Sequence, residues 1–373
     1  MEKPVILLIK EIYYPILAAI GVPANVVTIV ILYRGKCGLS NCISLIMSVM
    51  TTADLLVMII NVMVYHIFSY NFRLSFLHHT AMCQFVLYMT AVALDLSVWF
   101  TVFFTFDRFA VICCQRFKAK HCTKRTAAVV IAMFCVLIFF KDIPYFYGIE
   151  HQQIINKVQW GCQPSVTFLS SPLGTCFFWF HLTSLVWLPF TLILLFNCLT
   201  IRRITVASRT RRELRSHTTE NKSDAEIENR RKSIILLFTV SGSFLLLWLT
   251  SVIGLIISGL VSINSYRGDR TNFGYLVTEI GTMLKFLSSC PNTFIYAVTQ
   301  RKFREELKTL LKFPFTLILR FINKEGCTTS SSRHQSYAIT LNLFVAFKRI
   351  VVYAFHNSLL ENDSQIMTFR IKT

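Results

Sequence analysis

Long apolar stretches separated by short charged connections set the pattern of this chain. Seven reach or approach the ~20 apolar residues that a helix needs to cross a bilayer core. They are Ile12–Tyr33, Cys42–Phe68, Met82–Phe106, Thr126–Ile149, Leu173–Ile201, Ser233–Ile263 and Asn272–Thr299. The fourth is the weakest, because its uncharged part ends at Phe140 and Lys141-Asp142 follows. Ten-residue segments of alternating polarity, the mark of a membrane barrel, are absent. The pattern predicts an all-α membrane protein built as a seven-transmembrane helix bundle. Its organisation follows: an extracellular N-terminal segment 1–11, the bundle 12–299, a short amphipathic helix 300–312 and a cytoplasmic tail 313–373. In "QRKFREELKTLLKF", Phe303, Leu307, Leu310 and Leu311 recur at helical spacing between basic residues. That spacing suits a helix lying on the membrane surface. Arg202–Lys232 is polar without apolar periodicity, which predicts extensions of helices five and six.

Charge fixes the expected sidedness. With the N-terminus outside, the outer connections hold six Lys and Arg (Lys3, Lys10, Arg73, Lys157, Arg267 and Arg270), and the inner ones to Lys312 hold twenty-three. The positive-inside rule then places the C-terminus in the cytoplasm and the chain in the plasma membrane. The same asymmetry accounts for most of the +19 net charge. These charges flank spans, where anionic lipid attracts them, so membrane lipid rather than nucleic acid is the expected basic-patch partner. Composition agrees: 54% of residues are hydrophobic and only 15% charged, too apolar for a soluble domain. The first eleven residues mix two acids and two bases with no separate apolar segment, so span one is expected to act as its own insertion signal. Twelve cysteines are divided by this topology. Cys83 opens span three and Cys162 lies in the loop after span four, both on the oxidising side, and a disulfide between them is the natural pairing. Cys176 is a third thiol near that surface.

Within the spans a few polar residues stand out. In "SVMTTADLLVMII", Asp54 is the only Asp, Glu, Lys or Arg between Cys42 and Phe68. A carboxylate in such a run needs a cation, a proton or hydrogen bonds, and an intramembrane ionisable group reads as functional by default. Lys285 is as unusual. Helical spacing puts it on one face with Ser289, Asn292 and Tyr296. A lysine facing the bundle interior needs an acid, water or its neutral form. Glu279 or Asp95, a ligand carboxylate, and Asp54 itself are the candidate partners. No metal-ligand cluster, nucleophile triad or phosphate loop stands out, so enzymatic chemistry is not expected.

The motifs "GVPANVV", "ADLL", "FDRFAV", "WLPF", "FLLLWLT" and "SSCPNTFIY", followed by "FREEL", occur in order on spans one, two, three, five, six and seven. Over residues 12–312 this resembles a rhodopsin-like (class A) G-protein-coupled receptor. "SVWFTVFFTFDRFAV", "DIPYFYG" and the spacing in "HLTSLVWLP" further resemble the orphan-type branch associated with aromatic amino acids and related to peptide receptors. The resemblance implies a receptor that catalyses nothing, binds a small extracellular ligand and activates a heterotrimeric G protein. Arrestin and receptor kinases are implied partners, with Thr218, Thr219, Ser223 and Thr328–Ser332 as compositional candidates for phosphorylation. It also implies a hydrated sodium ion among Asn25, Asp54, Ser97, Ser289 and Asn292. An activation switch is implied at Asp107, Arg108, Phe244, Trp248, Asn292 and Tyr296, and a ligand pocket from Thr90, Leu94, Asp95, His181, Ser251, Glu279 and Lys285.

Departures from the family pattern qualify this. Phe109 replaces the usual tyrosine, and Thr90 stands where the branch has an acid. The inner end of span six reads Arg230-Arg231-Lys232 instead of carrying an acid, which leaves Arg108 with one restraint fewer and predicts raised basal activity. Trp248 is followed by Leu249 and Thr250 where a proline is usual, and Pro291 precedes Asn292 instead of following it. Both changes affect kinks that the family uses as hinges. Two other functions compete. Lys285 suggests a retinal-binding photoreceptor or pump, but it precedes Asn292 by seven residues where the opsin lysine precedes by six, a turn of about 100°. A small transporter would show internal repeats, and none is seen. The altered prolines also leave a non-signalling receptor homologue as an alternative.

Overall fold

Why the apolar runs become these helices, and where each stops, is visible in a computed structural model that describes residues 5–35, 37, 39–69, 75–113, 123–155, 158–214, 224–260, 273–310 and 312. The tail 313–373 and the phosphorylation candidates Thr218, Thr219, Ser223 and Thr328–Ser332 lie outside the described residues. Residues 1–307 form one compact unit. The described residues of a second unit, 308–310 and 312, are helical.

Helix α1 (Val5–Tyr33) begins ahead of the expected edge at Ile12 and carries Lys10 and Glu11 within it. Helix α2 (Asn41–Leu56) continues as a π-helical segment, Val57–Phe68. Helix α3 (Thr80–Cys113) is the longest-buried element: 72% of its most apolar window is inside the protein, against 11% for α4 (Lys124–Lys141), so α3 is central and α4 peripheral. Thr123 caps α4, its Oγ1 accepting from the Thr126 amide at 3.2 Å. The expectation that span four reaches Ile149 is corrected. The α-helix stops at Lys141, and a 3-10 turn at Ile143–Phe146 carries Pro144, which disfavours helix at the residue before it.

Helix α5 runs Pro172–Leu182, a π turn Thr183–Trp187, then Leu188–Leu214. Pro189 has no N–H to give to the ladder, and the π turn just ahead of it absorbs the mismatch. Helix α6 (Asp224–Leu260) is continuous, as the absence of proline after Trp248 requires. The seventh span is broken into α7 (Phe273–Leu287) and α8 (Pro291–Thr299), so only six helices among the described residues are each long and apolar enough to cross a membrane. Tight bonds from Ser289 N to Phe286 O (3.2 Å) and Cys290 N to Leu287 O (3.0 Å) close α7. Pro291 then stands at the first position of α8, where a missing N–H costs nothing. A further helix, α9, begins at residue 301.

Lipid is as apolar as leucine, so close packing and polar bonds, not hydrophobicity, hold such helices together. Both are present. A Cβ on Gly281 of α7 would lie 2.6 Å from the Ser251 Cα of α6, so only glycine permits that approach. Asn197 of α5 donates to Ser241 Oγ of α6 at 2.9 Å, and Thr28 of α1 to Thr293 of α8 at 2.9 Å. Val98, Val102, Val186, Ile193, Phe244 and Trp248 form an apolar core between α3, α5 and α6. At one end of the bundle, β2 (Gln153–Ile155) pairs antiparallel with β3 (Val158–Trp160), inside an outer pair formed by β1 (Ile149–Glu150) and β4 (Gln163–Pro164). A Cys83–Cys162 disulfide ties this hairpin to α3, as the positions of the two cysteines predict. Between β3 and β4, Gly161 takes a φ of +76°, which a residue with a side chain rarely adopts, and its amide donates to His78 O at 2.7 Å.

Candidate functional site

Asp54 is not alone. It is 1% exposed; Ser97 Oγ donates to its Oδ1 at 2.6 Å and Asn292 Nδ2 to its Oδ2 at 2.7 Å. Three elements therefore converge on one carboxylate: α2, α3 and α8. Helical turns explain the convergence, since Ser97 lies on the face of α3 turned to α2 and Asn292 sits in the first turn after the α7 break. Ser289, 2% exposed, is within interaction range of the same carboxylate. Asn25 joins from α1 through its Nδ2, which donates to Ser289 O and Gly21 O, each at 3.0 Å. Its fully buried Oδ1 has no partner among the described residues. A cavity of about 10 Å³ lies here, the room for one water-sized particle. Asp54, Ser97, Thr101, Ser243, Ser288 and Asn292 give it a polar wall. Carboxylate, hydroxyl and amide oxygens are the donors a hard cation prefers, and the set fits a sodium ion.

At the far end of α3, Arg108 is 8% exposed and Asp107 5%. The guanidinium donates to Asp107 Oδ2 through Nη2 at 2.6 Å and Nε at 3.1 Å. Its Nη1 donates to Ser233 Oγ of α6 at 3.1 Å. The acid that the inner end of span six lacks is replaced here by a neutral hydroxyl. Charge-assisted bonds to a neutral acceptor are weaker than paired charges, so the restraint is reduced, not removed. Phe109 stacks on Phe196 with ring centres 5.5 Å apart. Deeper in the bundle, Phe244 and Trp248 lie 5.3 Å apart, and Trp248 Nε1 donates to Ser288 Oγ at 3.0 Å. Tyr296 is fully buried, its ring edge-on to Phe303.

The residues expected to line one ligand pocket fall into separate groups. Asp95 points away from Ser97, as two positions on a helix must, and its Oδ2 accepts from Lys141 Nζ at 2.9 Å. Lys141 Nζ also donates to Asp142 Oδ1 at 2.7 Å and lies 3.1 Å from His181 Nδ1. Both carboxylates are fully buried. Asp95, Asp142 and His181 offer ligand atoms within 4.8 Å of one another, the grouping a metal would need, but the Lys141 ammonium already fills the cation's place. Sequence reasoning missed Lys141 and Asp142 by treating them as the ragged edge of a span. The signal was present: two charges ending an apolar run at the level of a buried Asp95 need partners there.

Glu279 is engaged elsewhere, accepting from Lys10 Nζ at 2.7 Å across α1 and α7. The readings that pair Lys285 with Glu279, Asp95 or Asp54 are therefore corrected. All three acids are held by other groups, and no hydrogen bond or ion pair joins Lys285 Nζ to another described residue. The ammonium instead lies 5.3 Å from the ring centre of Phe286 and 6.0 Å from that of Trp248. Thr90 O accepts from Asn61 Nδ2 at 3.5 Å, while Thr90 Oγ1 is buried without a partner among the described residues. Leu94 is buried, and Ser251 meets Gly281 through its backbone. In comparison with known protein families, the family model of the 7 transmembrane receptor (rhodopsin family) matches residues 24–296.

Proposed function

The chain belongs to the rhodopsin family of seven-transmembrane receptors, and from that premise we propose that it binds a small extracellular ligand, an aromatic amino acid or short peptide, and activates heterotrimeric G proteins by population shift. The family settles the coarser statement: this is a G-protein-coupled receptor of the plasma membrane, a multi-pass signalling protein and not an enzyme. The observation that carries the finer reading is the buried Arg108, bonded at once to its own helix through Asp107 and to α6 through Ser233. A latch between two helices is a two-state element. An agonist that binds the unlatched state better shifts the population toward it by no more than that difference in affinity. The N-terminus is then extracellular and the basic connections cytoplasmic, facing the G protein and, after activation, a receptor kinase and arrestin. The aromatic-amino-acid branch rests on the sequence motifs.

A bound sodium ion would supply a positive charge beside Asp54. Asp54, Ser97 and Asn292 would hold it, and these residues join α2, α3 and α8 in the latched state. Retinal chemistry is disfavoured, because a Schiff base on Lys285 would find Glu279 and Asp95 already bound to Lys10 and Lys141. The test is G-protein activation in cells without added ligand. Wild type at the surface gives a signal above empty-cell controls, Arg108→Ala removes most of it, and replacing sodium with choline raises it unless Asp54 is changed to Asn. Silence at matched surface expression would overturn the expectation of raised basal activity; silence with tryptophan and phenylalanine added as well leaves a ligand outside the aromatic amino acids or a non-signalling homologue.

A further inference from the structure

Among the described residues, the buried charges between the hairpin end of the bundle and its centre have partners, with one exception. Lys10 is bound to Glu279, and Lys141 is bound to Asp95 and Asp142. Asp54 has both oxygens occupied by neutral donors. Lys285 alone among these groups has an ammonium with three N–H donors and no acceptor oxygen within reach among the described residues. The faces of Phe286 and Trp248 compensate a cation partly, but a ring supplies no lone-pair acceptor for those N–H groups. A bare ammonium inside a helix bundle is costly, and an anion that meets it with good hydrogen-bond geometry offsets that cost.

We infer that Lys285 is the anchor for a carboxylate group of the extracellular ligand, which it holds beside the face of Trp248. This rests on the receptor reading above and specifies the ligand class: an organic acid, with an apolar body to lie against Trp248 and Phe286. The placement also gives binding a route to the switch. Ser288 Oγ donates to Lys285 O at 2.6 Å and accepts from Trp248 Nε1 at 3.0 Å, so the backbone of Lys285 and the indole of Trp248 share one hydroxyl. An anion that draws the Lys285 side chain out of the rings removes a cation from the Trp248 face. The same hydroxyl lines the cavity beside Asp54. Selectivity follows from the engaged acids: Glu279 and Asp95 are not free to receive a ligand ammonium, so the negative group of the ligand, not its positive one, is recognised by charge.

The test uses the purified full-length receptor and thermal unfolding. In the absence of ligand, Lys285→Met unfolds at the same temperature as wild type or higher; a fall would show that Lys285 has an internal acid and would overturn the inference. Phenylalanine, tryptophan and indole-3-propionate, each against its amide at constant chloride, are then the probes. The acids raise the wild-type midpoint and the amides do not; Lys285→Met loses the difference and Lys285→Arg retains part of it. Equal shifts from acids and amides, or no shift from any acid, would overturn the inference. Basal G-protein signalling and its loss in Arg108→Ala, measured alongside, report on the receptor reading separately, so the two failures are told apart.

Discussion

Lys141 shows how much one side chain can decide. Its ammonium lies between two fully buried carboxylates and His181, joining the end of α4 to the middle of α3 and to α5. Removing one partner of a buried ionic group leaves uncompensated charge and costs about 3–5 kcal/mol, far more than a surface pair. Lys141→Met is therefore expected to lower the thermal midpoint of the purified receptor strongly. The double variant Lys141→Met with Asp142→Asn should recover part of the loss by removing one stranded charge. A single variant as stable as wild type would mean that the cluster contributes nothing. Asp54 differs in kind: both of its carboxylate oxygens are bonded by neutral donors. The bonds of Lys141 to Asp95 and His181, and of Asp54 to Ser97 and Asn292, do not follow from spacing alone, because those partners come from other helices.

Among the elements, the altered prolines have opposite outcomes. Helix α6 loses its kink and runs unbroken from Asp224 to Leu260. The seventh span keeps a break, because the tight turn at residues 288–290 ends α7 and Pro291 starts α8. A proline one place earlier in sequence thus still marks a discontinuity, at the first position of a helix where its ring is accepted. The α6–α7 contact depends on glycine. In Gly281→Ala the new Cβ meets the backbone of Ser251 at 2.6 Å, which no rotamer change relieves, and a loss of about 1–3 kcal/mol is expected. Gly254→Ala, at 3.2 Å from Thr278, should cost less. Thermal midpoints of the two variants in the same detergent check the order, and equal midpoints would count against the close contact.

For the whole molecule, sidedness follows from where Lys and Arg fall, and the prediction is direct. An epitope tag at the N-terminus should be stained on intact cells and one at the C-terminus only after permeabilisation; the reverse would invert every assignment of ligand face and G-protein face. The sequence by itself determined the class of architecture, since length and apolarity of the runs, their charged borders and two cysteines at one end are local quantities that survive in any helix packing. It also marked Asp54 and Lys285 as residues in need of partners, because charge in an apolar run is legible one residue at a time, while Arg108 was marked by the family resemblance. For Asp54 the partners Ser97 and Asn292 are among the residues that the family resemblance groups with it. The rest was decided only by tertiary structure: Arg108 gained Ser233 besides its neighbour Asp107, and the acids expected for Lys285 were claimed by Lys10 and Lys141. Helical periodicity gives the face on which a side chain stands, but not the rotation of the neighbouring helix or the distance to it. A buried charge is satisfied by whatever lies within about 3 Å in space, and that is settled by how seven spans pack together.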